Sequence, residues 1–134
     1  ELVDASPHEI PAEWTLLERT VPARVDLLEE EIDGVQGFGT LLVVPGGQSL
    51  STGFEFALPD SVVLTDVGSD RFTYRLKVQK QPGRLADPLT IRIHLPNRSQ
   101  VEKVNLEALV QGQDILVETN LQTDVYLEVV FHVP

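Results

Sequence analysis

The sequence predicts an all-β protein: an antiparallel β-sandwich, immunoglobulin-like in architecture, with about eight to ten strands. Three observations predict it. Valine, isoleucine and threonine make up 32 of the 134 residues, and side chains branched at Cβ suit a pleated sheet better than a helix. Several segments alternate between apolar and polar residues. Clusters of proline, glycine, asparagine and aspartate separate these segments about every ten residues, as in a sandwich.

The clearest alternation lies in three segments, 71–79, 89–95 and 125–133. Every second residue there is apolar, and the residues between are largely polar, which is typical of antiparallel strands with one face on the core. In the last segment we expect five side chains to point inward and close the core, namely Val125, Leu127, Val129, Phe131 and Val133.

Weaker patterns and turn signals complete the predicted organisation. Pro45–Gly47 and Gln81–Arg84 predict tight turns, because proline fixes φ and glycine supplies positive φ. Residues 1–12 are polar and contain two prolines, so they are predicted as a linker, with a single domain over 13–134. Further strands are predicted at 14–20, 24–32, 38–44, 49–58, 62–65, 104–110 and 115–119.

Composition excludes several classes of function. The chain has 10 basic and 21 acidic residues, and a net charge of −11 argues against nucleic-acid binding, which needs clustered lysine and arginine. The absence of cysteine excludes disulfides and zinc–thiolate sites. No glycine-rich phosphate loop follows a strand and opens a helix, so we expect no nucleotide and no other cofactor.

The sequence predicts no catalytic residue and no metal ligand, and therefore no enzyme. Gly47–Ser51 begins like a nucleophile elbow but ends in serine where that motif needs glycine. The three histidines are scattered without the spacing of a metal site. Glu29–Glu31 is the densest acidic run, but consecutive strand residues point to opposite faces. A charged strand end is favoured there, and cation binding stays open.

A basic stretch is the strongest candidate for a binding surface. Arg71, Arg75 and Lys77 share the outer face of one predicted strand, and Arg92 lies on the outer face of the strand expected to pair with it. One interpretation is a patch for an anionic glycan or an acidic partner. The other, which the net charge favours, is neutralisation by carboxylates on adjoining strands, with three candidates: Glu55, Glu118 and Glu128.

Aromatic residues suggest a second candidate site. Trp14 and Tyr126 would form a sugar-stacking platform if they were exposed together. Tyr74 belongs to an apolar strand face, so we expect it in the core.

Two stretches carry a family resemblance. They are Tyr74–Gly83, followed by Asp87–Thr90 and Leu95–Pro96, and the upstream Val43–Gly47 leading to Phe56–Pro59. Together they resemble the C-terminal all-β region of a bacterial membrane-anchored protein family classed as a domain of unknown function, over about residues 14–96. The resemblance implies an all-β module on the outer side of the membrane, and it supplies no catalytic residues.

These observations favour a non-catalytic extracellular module of a larger membrane-anchored bacterial surface protein, acting as spacer or protein-interaction domain. The alternative is a carbohydrate-binding module that uses exposed aromatic residues or the basic strand face. The expected partner is accordingly a protein or a cell-surface glycan, and the sequence leaves its identity and the oligomeric state open.

Overall fold

The computed structural model describes residues 68–134 in full, together with 54–65 and several shorter segments before them. The shorter segments are 5–7, 13–16, 19–22, 25–28, 32, 35, 37–40, 46–47 and 49, and for 5–7, 13–16, 19–22, 25–27 and 40 the description covers the backbone alone. The chain divides into two compact units, residues 1–59 and 60–134. The predicted linker over 1–12 and single domain over 13–134 stay predictions.

The described residues of the first unit form three two-stranded antiparallel ladders. They are β1 (Ala5–Pro7) with β6 (Phe54–Phe56), β2 (Glu13–Leu16) with β3 (Arg19–Pro22), and β4 (Val25–Leu28) with β5 (Gly37–Thr40). The single strand predicted over 14–20 is wrong, because Trp14 lies opposite Val21 in the β2–β3 ladder. The sequence between these two residues contains no glycine or proline to signal the reversal.

The second unit is a two-layered antiparallel sandwich. One sheet has four strands in the order β10 (Gln100–Val104), β13 (Val125–His132), β8 (Arg71–Val78) and β7 (Val63–Thr65). The other has three, in the order β11 (Leu109–Gln111), β12 (Asp114–Asn120) and β9 (Pro88–His94). A short 3-10 turn, Asp60–Val62, precedes β7. The predicted antiparallel β-sandwich is confirmed.

The strand order differs from that of an immunoglobulin constant domain. That fold places its first, second, fourth and fifth strands in one sheet and the third, sixth and seventh in the other. Counted from β7, this unit places the seventh strand, β13, in the four-stranded sheet and the fifth, β11, in the three-stranded sheet. The sheets therefore have the expected four and three strands, with two strands exchanged between them.

The core lies between the two sheets and follows the predicted alternation. Leu127, Val129 and Phe131 of β13 are buried, and they pack against inward residues of the three-stranded sheet such as Ile115 and Val117. The two ends of the predicted stripe, Val125 and Val133, are partly buried against this cluster, and so is Tyr74. The inward direction predicted for the last strand is therefore confirmed.

The strand count and one boundary depart from the prediction. The described residues form thirteen strands, more than the predicted eight to ten, since several are only three or four residues long. The strand predicted over 104–110 is wrong: β10 ends at Val104 and β11 begins at Leu109. Asn105 turns the chain here, because its side chain bonds the backbone of β13 at Tyr126 and Glu128.

Candidate functional site

Three of the four candidate cations lie on the outer face of the four-stranded sheet. Arg71, Arg75 and Lys77 alternate along β8 with residues that pack against the core. Each has a carboxylate partner on β10, on β13 or in the turn before β13. Their positive charges are therefore balanced within this face.

Arg71 forms the most extensive of these contacts. It donates hydrogen bonds from Nε to Oε2 of Glu102 at 2.8 Å and from Nη2 to Oε1 at 2.9 Å. Glu102 follows the inward-facing Val101 on β10, and it is the unpaired residue of a β-bulge between Val101 and Lys103. His132 Nε2 lies 2.9 Å from the same Oε2. The hydrogen bonds from Arg71, and then from His132, lower the pKa of Glu102 to about 2, although desolvation acts against them.

The other two cations on β8 are held by single carboxylates. Arg75 lies directly opposite Glu128 in the β8–β13 register, with Nε 2.9 Å from Oε2. Lys77 Nζ lies 3.0 Å from Asp124 Oδ2, and this hydrogen bond raises the pKa of Lys77. The pKa of Asp124 is lowered, first by the backbone N–H of Lys80 and then by Lys77. Neutralisation by Glu128 is what the second interpretation of the basic stretch predicted.

The fourth cation, Arg92, lies in the other sheet. The expectation that its strand pairs with β8 is wrong, because β9 pairs with β12 and β8 pairs with β13. The nine residues 79–87 between β8 and β9 carry the chain from one sheet to the other and do not close a hairpin. Arg92 therefore lies opposite Leu116. The four cations do not form one patch, and binding of a polyanion to them stays a prediction.

Arg92 makes no ion pair with any residue that the structure describes. Glu118, one of the expected neutralising carboxylates, lies opposite Thr90 and forms no ion pair within the described part of the chain either. Glu55, another, belongs to the first unit. Arg92 borders a shallow depression of about 430 Å³ on this outer face, whose other lining residues include Leu109, Gln111, Asp114 and Leu116.

The two described histidines lie on different sheets. His94 faces Asp114 across the β9–β12 ladder, with Nδ1 2.7 Å from Oδ1, and both side chains are largely exposed. His132 contacts Glu102 on the four-stranded sheet. Within the described residues, no group of three or more histidine, aspartate or glutamate side chains could hold a metal ion. His8 and the acidic run Glu29–Glu31 lie outside the described residues.

An apolar groove opens between the two sheets of the second unit. Its volume is about 580 Å³. The four-stranded sheet lines it with Val63, Phe72, Tyr74, Phe131 and Val133, and β9 with its following residues lines it with Arg92, Ile93, His94, Leu95 and Pro96. We call this feature the apolar groove. The sequence does not predict this groove, because alternation assigns these side chains to the core without showing where the two layers separate.

The proposed sugar platform is described in part. Tyr126 lies on the outer face of β13 and is 58% exposed. Lys77 Nζ lies 5.3 Å from the centre of its ring, a cation–π distance, so the ammonium group covers one side of the ring. The backbone of Trp14 lies in β2, and its side chain is outside the described residues. Tyr126 and Trp14 belong to different units of the chain.

Among the described residues, no helix has the length and apolarity needed to cross a membrane. No protein-family model, curated protein or solved structure that was compared with the chain matches it significantly.

Proposed function

We propose that the chain is a non-catalytic module of a larger membrane-anchored bacterial surface protein, where it lies on the extracellular side and acts as spacer or protein-interaction domain. The observation that carries this proposal is the apolar groove beside β9. Grooves lined by aromatic and aliphatic side chains with charged groups at the rim are typical of sites that bind another molecule. The groove therefore favours interaction over a purely passive spacer.

The remainder of the second unit supports a stiff framework for such a site. Leu127, Val129 and Phe131 are buried in the central strand β13, and Phe72 stacks on Phe131 with ring centres 5.5 Å apart. On the outer face of the same sheet, three cations of β8 contact carboxylates on β10, on β13 and in the turn before β13. A framework of this kind holds the two lining layers of the groove at a fixed separation.

Replacement of the chain in its parent protein tests the proposal. In the source bacterium, residues 1–134 would be deleted or exchanged for an unrelated β-sandwich of the same length. We expect both changes to impair adhesion or surface assembly and to leave the enzymatic activities of the surface fraction intact. If the unrelated sandwich fully restores adhesion and surface assembly, the chain acts as a spacer alone. A surface enzymatic activity that disappears on deletion and returns with the purified chain would overturn the proposal.

Carbohydrate binding is the second candidate, and the exposure of Tyr126 favours it. An exposed tyrosine ring suits stacking on a sugar, and Lys77, which is paired with Asp124, borders this ring. Binding to an array of neutral and anionic glycans tests this function, with Tyr126→Ala as the variant. Retention that survives Tyr126→Ala would exclude this surface as the glycan site.

A further inference from the structure

We infer that β9 accepts an extended segment of a partner protein as an added strand, and that this segment alternates apolar with acidic residues. The inference rests on the proposed role as a protein-interaction domain and specifies the partner. Addition of a strand to a sheet edge obtains affinity from backbone hydrogen bonds and specificity from alternate side chains.

The first observation is the position of β9 in its sheet. It is the last strand in the order β11–β12–β9, so within the described part of the chain it has a neighbour on one side only. It is seven residues long and pairs with β12 along its whole length. From Leu89 to His94 its other edge therefore presents backbone donors and acceptors, which are the template for a further strand.

The second observation is the apolar groove, which begins at this edge. Ile93 and Leu95 line it from the side of β9, while Phe72 and Phe131 line it from the other sheet. A strand added beside β9 turns every second side chain toward the space between the two layers. Apolar residues at those positions would fill the groove and remove its walls from water.

The third observation is the charge on the outward side of β9. Its outward residues are Pro88, Thr90, Arg92 and His94, and Arg92 has no carboxylate partner among the described residues. In the other sheet Arg75 is satisfied by Glu128 directly opposite on the next strand. An acidic residue on the added strand, directly opposite Arg92, would form an ion pair with it, as Glu128 does with Arg75.

A second copy of this chain fits the edge less well than a different polypeptide. Two-fold pairing of β9 with itself offers proline, threonine, arginine and histidine at the outward positions, so Arg92 would gain no acidic neighbour on the added strand. The inferred occupant is therefore a segment of another protein with an apolar–acidic–apolar pattern.

Two labelled heptapeptides test the inference by fluorescence anisotropy with the full chain. One has the sequence Thr-Val-Glu-Val-Glu-Val-Thr, and the other has lysine in place of glutamate. We expect the wild-type chain to bind the glutamate peptide about fivefold more tightly than the lysine peptide, from one partly exposed ion pair. Arg92→Glu should reverse this preference. The matched control is Lys103→Glu, which makes the same charge change on the outer face of the other sheet.

The position of the bound peptide is checked by amide chemical shifts and hydrogen exchange. The largest shifts and new protection should fall on residues 88–94, and circular dichroism establishes that each variant is folded. Absence of glutamate-peptide binding to the folded wild type, or an unchanged preference in Arg92→Glu, overturns the inference. Dimerisation that increases with protein concentration and protects the amides of β9 from exchange overturns the inference and identifies a second copy of the chain as the occupant. If the glutamate peptide does not bind but deletion of residues 1–134 still impairs adhesion or surface assembly, strand addition at β9 is excluded and the proposed function stands.

Discussion

The outer faces of the two sheets in the second unit carry similar residues but differ in how their cations are satisfied. On the four-stranded sheet, Arg75 lies opposite Glu128 and contacts it at 2.9 Å. On the three-stranded sheet, Arg92 lies opposite Leu116 and has no carboxylate partner in the described chain. The two arginines look alike within their own strands. They differ because the neighbouring strand presents a carboxylate to Arg75 and a leucine to Arg92.

The difference between the two arginines matters because one lies in the interior of its sheet and the other lies on an edge strand. β13 is central, so its outward residues meet β8 on one side and β10 on the other. β10 provides a further acidic partner on this face, Glu102. β9 lies at an edge and has a neighbour on one side only within the described residues. An unsatisfied charge at an edge strand can select what adds to it, whereas a satisfied charge in a sheet interior contributes mainly to the fold.

The largest expected effect concerns the inward side, where the two sheets should behave alike. Phe131 of the four-stranded sheet is 3% exposed and Ile115 of the three-stranded sheet is 1% exposed. We expect Phe131→Ala to lower the free energy of unfolding by about 3–5 kcal/mol and Ile115→Ala by about 2–5 kcal/mol, since both leave cavities. Urea denaturation measures both losses.

Tyr126→Ala is the control for this prediction, because Tyr126 lies on the same strand as Phe131 but on its outer face. Its loss should stay below about 1 kcal/mol, as for most exposed positions. Equal losses at Tyr126 and Phe131 would show that the inward and outward faces of β13 have been assigned the wrong way round.

A pH series sharpens the comparison of the outer faces. The pKa of Glu102 is about 2 in the folded protein against an ordinary value of 4.5. Because the folded value is the lower one, the contribution of Glu102 to stability is present above pH 4.5 and is lost as the pH falls toward 2. We expect wild type to exceed Glu102→Gln in free energy of unfolding at pH 6, and the difference to disappear near pH 2.

Glu118→Gln is the matched control for the pH series. It removes one carboxylate from the outer face of the three-stranded sheet, where no described residue forms an ion pair with Glu118. Its free energy of unfolding should follow that of the wild type over the same pH range. A parallel loss in both variants would mean that the contacts of Glu102 with Arg71 and His132 contribute nothing specific.

Charge reversal tests the two arginines against each other directly. Arg75→Glu places two carboxylates opposite each other and should lower the free energy of unfolding by roughly 0.2–1 kcal/mol. The additional change Glu128→Arg should restore most of this loss, because the pair is re-formed in the opposite sense. Arg92→Glu faces Leu116 and should stay within about 0.5 kcal/mol of wild type. Equal losses in the two single variants would contradict the proposed difference between the faces.

The sequence predicts the inward faces well and the pairing of strands poorly. Alternation alone identifies Leu127, Val129 and Phe131 as core residues, because burial in a sheet follows a period of two along one strand. Which strands lie side by side depends on contacts between distant residues, and alternation carries no signal for that. The expected pairing of β8 with β9 failed for this reason.

The candidate site shows the same limit. Arg71, Arg75, Lys77 and Arg92 can each be assigned to an outer face from the sequence, but their division between two sheets cannot. Glu128 was among the expected partners, while Glu102 and Asp124 were not. Glu102 lies on β10, which shares a sheet with β8 but is separated from it by β13, and alternation does not show which strands share a sheet. The sequence therefore gives the kind of chemistry on each strand, and the topology decides which charges meet.

The smallest expected effect lies in the turn that joins the two edge strands β9 and β10. Arg98 has a φ of 70° there, the left-handed region, and the N–H of Ser99 bonds the carbonyl of Pro96 at 3.1 Å. A side chain in this conformation costs about 1–2 kcal/mol, and the greater freedom of glycine in the unfolded chain offsets part of the gain, so Arg98→Gly should stabilise by about 0.5 kcal/mol.

Gly112 adopts a φ of 63° in the turn between β11 and β12, and an added Cβ there meets no atom within 4 Å. Gly112→Ala should therefore destabilise through the backbone alone, by about 1 kcal/mol. Thermal denaturation of Arg98→Gly and Gly112→Ala compares a turn between the two sheets with a turn inside one sheet. A loss of stability in Arg98→Gly would mean that the arginine side chain itself stabilises the turn from β9 to β10.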